Sequence, residues 1–387
     1  MSQLLLPAIR QLIATSSISS TRPDIDQGNR EVIDLLAGWL EDMGFDCEIL
    51  PLPDAPHKAN LIATLGKGSG GLVLSGHTDT VPCDESLWSQ NPFKLTERDN
   101  KLYGLGTCDM KSFLALAMEA ARGLKPEQMK QPLIILATAD EETTMNGVRQ
   151  LVNLGRPKAR YAVIGEPTNL QPITMHKGIM MERITLTGQS GHSSDPSKGR
   201  NAMDAMHRVM TELMMLREEW KTQYYNPGFS VPVPTLNLGC IHGGDNPNRI
   251  CETCVLEYDV RMLPGMESDV VRHNIRKRTE PLARQLGIAF DLSPITQIIE
   301  SFVSQPNSPL VEACEKLTGH SSASAAFATE APFLSKIGMD TLVLGPGGIA
   351  QAHQPDEYIG LETIKPTIEI LRDLIKEFCL TETGKEK

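Results

Sequence analysis

No stretch of the sequence approaches the ~20 consecutive apolar residues that a membrane-spanning helix requires, so no such helix is expected. Positive charge is in deficit: 37 Lys and Arg stand against 48 Asp and Glu, a formal net charge of -11. A balance of that sign argues against nucleic acid or an anionic membrane as the main partner and favours a small molecule. The eight cysteines are scattered and lack the dense framework of small disulfide-stapled domains, so reduced thiols are expected. The opening "MSQLLLPAIRQLIATSSIS" has no basic leader, and Arg10 interrupts its apolar residues. It reads as an amphipathic helix rather than a signal peptide, which points to the cytoplasm. Solenoid repeats and low-complexity tracts are missing too.

What is present is an ordinary globular composition, 40% hydrophobic and 22% charged. At 387 residues the chain exceeds the size at which one core keeps growing, and two domains are expected. Apolar residues at helical spacing in "NREVIDLLAGWLEDMG" predict a helix ending at Gly44. Short apolar runs, "GLVLSG", "PLIILATA" and "YAVIGE", read as buried parallel strands, with helical segments such as "DMKSFLALAMEAARGL" between them. This alternation predicts an α/β domain with a mostly parallel sheet and flanking helices. Near residue 180 the pattern changes to strand, helix, strand, strand, helix, strand, with Pro281 as a local disturbance in the second helix. That order predicts an inserted α+β ferredoxin-like (βαββαβ) domain over 181–293, between catalytic segments 1–180 and 294–387.

Each buried strand is followed by a chemistry-bearing residue. His77 follows "LVLSG", Glu141 and Glu142 follow "LIILATAD", Glu166 ends "YAVIGE", and His353 lies shortly after "TLVLGPG". Ligands gather beyond the carboxyl ends of strands in open α/β sheets, so these groups are expected to converge, with Asp109 joining them from "YGLGTCDMK". Two imidazoles and several carboxylates suit zinc, with cobalt or manganese as substitutes. Five donors are too many for one tetrahedral ion with an open position, and about right for two ions sharing a carboxylate. Such a pair activates a water and stabilises the oxyanion formed at a carbonyl. Glu141, beside Glu142, is placed to carry the proton.

Other motifs read more plainly. "GHSSDPSKGRNA" around His192 can be a polar connection capping the next helix. Cys251 and Cys254 have redox spacing but sit at a strand start, so structural cysteines are expected, and "LGPGG" lacks the Lys-Ser/Thr of a phosphate loop.

"SGHTDTVP", "YGLGTCDMK", "ATADEE", "IGEPT" and "QAHQPDEY" resemble, in order and over nearly the whole chain, the motifs of the dinuclear zinc metallopeptidase family that contains aminoacylases, glutamate carboxypeptidases and succinyl-diaminopimelate desuccinylase. "GQSGHSSDPSKGRNA", "PTLNLGCIHGGDNPNRIC" and "ATEAPF" are closer to the branch acting on N2-acetyl-L-ornithine. The resemblance implies two zinc ions per subunit, one on His77, Asp109 and Glu166 and one on Asp109, Glu142 and His353, with Asp109 bridging and cobalt as a substitute. It implies Glu141 as general base and Asp79 as the acid orienting His77. It implies that His192 reaches a neighbouring subunit's site, hence a homodimer through the inserted domain, which would also act as a lid. Asn248, Arg249 and Arg261 fall where the family holds the substrate carboxylate, a task that suits the planar fork of an Arg. Glu330 departs from the Asp of other relatives and is expected to help select the substrate's amino group. The implied activity is deacetylation of N2-acetyl-L-ornithine in arginine biosynthesis. A desuccinylase, a dipeptidase and a catalytically silent metal-binding protein remain the alternatives.

Overall fold

The computed structural model describes residues 3–380; positions 1–2 and 381–387, which open and close the sequence division above, lie outside the described residues. The chain separates into two compact units. The first takes the chain up to Thr174, then Ser304–Ala323 and everything described from Thr329 onward; the second holds Met175–Val303 and Ser324–Ala328. The insertion is thus wider than 181–293. Its first long strand already begins at Gly178, and residues beyond 293 stay bonded within the unit, Ile179 and Ile299 exchanging N–H···O bonds of 2.8 and 3.0 Å.

In the first unit, helix α1 (Leu5–Ala14) buries Leu5, Ile9, Leu12 and Ile13, and α2 (Arg30–Asp42) buries Val32, Ile33, Leu36, Ala37 and Leu40. Both sets follow helical spacing, which confines the apolar residues to one stripe. Strands β1 (Asp46–Leu52) and β2 (Ala55–Leu65) form a hairpin, followed by β3 (Leu72–His77), helix α3 (Lys111–Ala121), β4 (Leu133–Thr138), helix α4 (Asn146–Leu154) and β5 (Tyr161–Ile164). Every residue of β3, β4, β5 and α3 is buried, Lys111, Ser112 and Glu119 of α3 included.

The second unit contains β6 (Gly178–Thr187), α5 (Ala202–Gln223), β7 (Thr235–Gly243), β8 (Thr253–Met262), α6 (Ser268–Arg284) and β9 (Ala289–Pro294). Its sheet has the order β7-β8-β6-β9 and is antiparallel throughout. Burial alternates along β6 and β8, so one face meets the helices and the other does not. Pro281 does not break α6: it lies in the last turns, where little of the hydrogen-bond ladder remains to lose, and its carbonyl still accepts the Gln285 N–H at 3.0 Å.

The chain then returns to the first unit with α7 (Pro309–Thr318), α8 (Ala331–Lys336), β10 (Asp340–Val343) and α9 (Leu361–Ile375). Along the order β1-β2-β4-β3-β5-β10, only the last four strands are mutually parallel. β1 pairs antiparallel with β2, and β2 with β4. The sheet is therefore mixed rather than mostly parallel, because β1 and β2 are joined by a tight hairpin with no room for a crossover helix.

Candidate metal centre

The parallel strands β3, β4, β5 and β10 deliver their carboxyl ends to one side, and the polar residues that follow them meet there. His77, the last residue of β3, is 1% exposed. Its Nδ1 lies 3.0 Å from the Asp79 carbonyl oxygen, so that nitrogen carries the proton and donates it. Nε2 then faces Asp109 Oδ1 at 3.0 Å and Glu166 Oε1 at 4.0 Å. His353 Nε2 is 3.1 Å from the Glu142 carboxylate and 3.4 Å from Asp109 Oδ2. The donor atoms of His77, Asp109 and Glu166 lie within 4.8 Å of one another, as do those of Asp109, Glu142 and His353, and those of His77, Glu141 and Glu142. Asp109 belongs to two of these groups.

The backbone aims these groups in identifiable ways. A Cβ on Gly165 would lie 2.1 Å from the Phe113 ring, so only glycine lets β5 run close over α3 and deliver Glu166. Asp140 and His353 both adopt left-handed backbone conformations, with φ of 65° and 57°. For non-glycine residues that costs free energy, so neighbouring contacts must hold it in place. Asp140 is held by Lys58, whose Nζ lies 2.6 Å from Oδ1, and by the hydroxyls of Ser19, Thr143 and Thr144. The Lys58 ammonium also reaches Asp26 at 2.8 Å.

Asp79 lies against both His77 and the turn that carries Glu141 and Glu142. Its carboxylate is 3.9 Å from His77 Nδ1 and accepts the N–H groups of Glu141 and Glu142, at 3.2 and 3.1 Å. Its carbonyl orients the ring; its side chain holds the turn. Glu330 is 1% exposed, accepts the Thr138 hydroxyl at 3.0 Å, and leaves Oε1 without a hydrogen-bond partner. Burial pushes its carboxyl up to about 7. His192, Asn248, Arg249 and Arg261 belong to the second unit. His192 pairs with Arg249 in a short bridge, the Asn248 carbonyl accepts the Ser193 N–H at 3.0 Å, and Arg249 pairs with Asp245 at 2.5 Å. Arg261 sits 2.9 Å from Asp259 and lines a cavity of about 200 Å³ with Lys177, Phe229 and Thr235.

Sequence reasoning did not single out Glu357. It is 2% exposed and accepts three backbone N–H groups of the loop that carries Asp109. Its one signal was an acid placed shortly after His353 in "QAHQPDEY".

The electrostatics test whether this centre suits cations. Burial, reinforced by neighbouring carboxylates, drives Glu141 and Glu166 well above the usual range and raises Glu142, with Asp109 its chief like charge. Burial opposes ionisation of Asp109, but hydrogen bonds with His353 and His77 outweigh it and hold that carboxyl low. Burial also disfavours a charged His77, yet Asp109 and Glu166 keep it well above the ordinary imidazole value; bonds to Asp109 and Glu142 raise His353 to about 10. Acids this close to one another and to a buried His77 and a half-exposed His353 hold one another charged only at a cost. Divalent cations relieve it by neutralising the carboxylates and taking the imidazole lone pairs in place of protons. The donor set fits a pair of such ions sharing Asp109.

The sequence pattern of peptidase family M20/M25/M40 matches residues 73–377, spanning all of these groups. The chain belongs to this family. Among similar M20 family proteins are the acetylornithine deacetylase of Photorhabdus laumondii, 49% identical over 372 residues with 96% of each chain covered, and that of Proteus mirabilis, 48% identical with 97% of each covered. An M20 family metallo-carboxypeptidase from Sulfolobus solfataricus shares the fold, with a TM-score of 0.74 at 18% identity, covering 98% of this chain and 99% of that one. Such M20 family likeness over the full length takes in both units.

Proposed function

We infer that this chain is a metal-dependent amidohydrolase that cleaves the acetyl amide of N2-acetyl-L-ornithine to acetate and L-ornithine. One observation carries the reading: near-half identity along almost the entire length to acetylornithine deacetylases, in a chain that gathers these donor groups and Glu141 at one centre. His77, Asp109 and Glu166 would hold one ion, and Asp109, Glu142 and His353 the other; zinc suits these donors, with cobalt as a substitute. When bound, two such ions supply Lewis-acid polarisation of the amide carbonyl and of the attacking water.

The chain's own residues do the rest. Glu141 takes a proton from the water and returns it to the departing amine, a task for a carboxyl of raised proton affinity. Asp79 keeps Glu141 and Glu142 facing the centre. His192 is assigned to the developing oxyanion, Asn248, Arg249 and Arg261 to the substrate carboxylate, and Glu330 to selection of the amino group. The unpartnered Oε1 of Glu330 supports that last assignment, and its burial limits it to an ammonium that enters fully.

The second unit is read as a ferredoxin-like dimerisation and lid domain. Its support is the βαββαβ order and the open edge of β7, where Ile241 is 49% exposed. An unpaired strand edge flanked by apolar side chains is a template for a second copy. A homodimer working in cytoplasmic arginine biosynthesis completes the reading. No helix of the described residues is long and apolar enough to cross a membrane.

The test is a specificity panel: kcat/KM on N2-acetyl-L-ornithine, N-succinyl-diaminopimelate and a set of dipeptides, before and after chelation. The acetyl substrate should lead by orders of magnitude, activity should vanish with chelator, and zinc or cobalt should restore it. A desuccinylase or dipeptidase preference would overturn the substrate assignment, and activity indifferent to chelation would overturn the chemistry.

A further inference from the structure

Glu357 and His353 sit four positions apart on one loop, while Asp109 ends a different loop far away in sequence. The Glu357 carboxylate joins the two. Its Oε1 accepts the N–H groups of Cys108 and Asp109 at 2.7 and 2.9 Å, and its Oε2 that of Gly106 at 3.0 Å. The Glu357 backbone carbonyl accepts a fourth, from Gly104 at 3.0 Å. Just beyond, Tyr358–Gly360 pairs antiparallel with Lys101–Tyr103, so the loops leave a common ladder side by side. Gly106, with φ of 83°, turns its amide inward in a conformation that other residues adopt only with strain.

Successive backbone N–H groups curled around one point form a concavity for oxygen acceptors, and here the carboxyl group it holds is a side chain of the protein itself. Burial leaves no water to take over these amides, so each loses its partner outright if the carboxylate goes. A glutamine has one accepting oxygen; its amide nitrogen would face an N–H.

We propose that Glu357 is a positioning residue that locks the Asp109 loop to the His353 loop, fixing the separation of two ligands of one metal ion. The proposal rests on the assignment of Asp109 and His353 as ligands, and does not depend on which amide is hydrolysed. Asp109 Oδ2 and His353 Nε2 are 3.4 Å apart, and each is carried by a loop that Glu357 holds. Loosening the clasp weakens the ion that needs both.

The experiment compares Glu357→Gln, Glu357→Asp and, as a control, Asp356→Asn. Asp356 is the neighbouring acid, bonded to Ser89 rather than to the Asp109 loop. Zinc per subunit and the affinity of each zinc are measured by competition with a chromophoric chelator, alongside kcat and KM. Glu357→Gln should weaken one of the two zinc sites by about 10- to 100-fold, the usual effect of losing a group that orients a ligand. Its kcat should fall while KM changes little, and excess zinc should recover part of kcat. Glu357→Asp, which keeps a carboxyl group at shorter reach, should fall between wild type and Gln, and Asp356→Asn should match wild type. If Glu357→Gln does not fold, the same graded loss is read from Glu357→Asp. Wild-type affinity for both ions in Glu357→Gln, or in Glu357→Asp when only that variant folds, overturns the proposal. Weakened zinc in a protein that prefers another amide leaves it standing and overturns only the substrate assignment.

Discussion

The Asp79 carboxylate and the backbone of Glu142 are joined by a hydrogen bond of 3.1 Å, with a matching bond of 3.2 Å to Glu141. One acid, two residues beyond His77, thus holds the turn that presents both glutamates. In Asp79→Ala two amides lose their acceptor, so kcat should fall by about 10- to 100-fold. Amide hydrogen exchange at Glu141 and Glu142 should quicken. Unchanged protection at both amides would sink this account and return Asp79 to a purely ring-orienting task.

Glu141 is absent from the two donor groups that share Asp109, so its removal should spare the metals and remove the proton carrier. In Glu141→Ala we expect kcat to drop about 100- to 10,000-fold with two ions still bound per subunit. Near-normal turnover, or parallel loss of both ions, would contradict the division of labour between the adjacent glutamates.

His176 offers a pH-dependent prediction away from the metal centre. It is fully buried, its Nδ1 is 2.9 Å from the Lys177 carbonyl, and burial lowers its pKa to about 4 from an ordinary 6.5. The folded protein therefore holds the ring neutral where the unfolded chain binds a proton. This contribution to stability is complete above pH ~6.5 and is lost as pH falls towards ~4, at about 1.4 kcal/mol per unit. Urea midpoints at pH 5 and pH 7.5 should differ less in His176→Leu than in wild type. An equal pH response in the two would show that His176 does not titrate as described.

The strand ends and the groups that follow them were legible because a buried parallel strand writes an unbroken apolar run, and its exit is marked by the first polar residues. The direction of the flanking strands was not. "NLIATL" looks the same whether its neighbour runs parallel or antiparallel, and the polar start of β2 at "APHKA" hides its true length. His77, Asp109, Glu142, Glu166 and His353 could be read from side-chain chemistry. The supports could not, because they act on the backbone: Asp79 and Glu357 are carboxylates whose partners are amide groups, and every residue but proline carries one. Lys58 was hidden for another reason. A lysine in a strand reads as solvent-facing, and only the tertiary fold reveals its ammonium between Asp26 and Asp140.

The donors at positions 77, 109, 142, 166 and 353 come from both sides of the inserted unit, so no local stretch of chain can assemble the centre. Under the proposed assignment, ions bind the folded chain and have little purchase on the unfolded one. Free metal at a hundredfold excess over its dissociation constant then adds about 2.7 kcal/mol per site to the folding equilibrium. Under that assignment metal supply bears on how firmly each molecule stays folded as well as on whether it turns over.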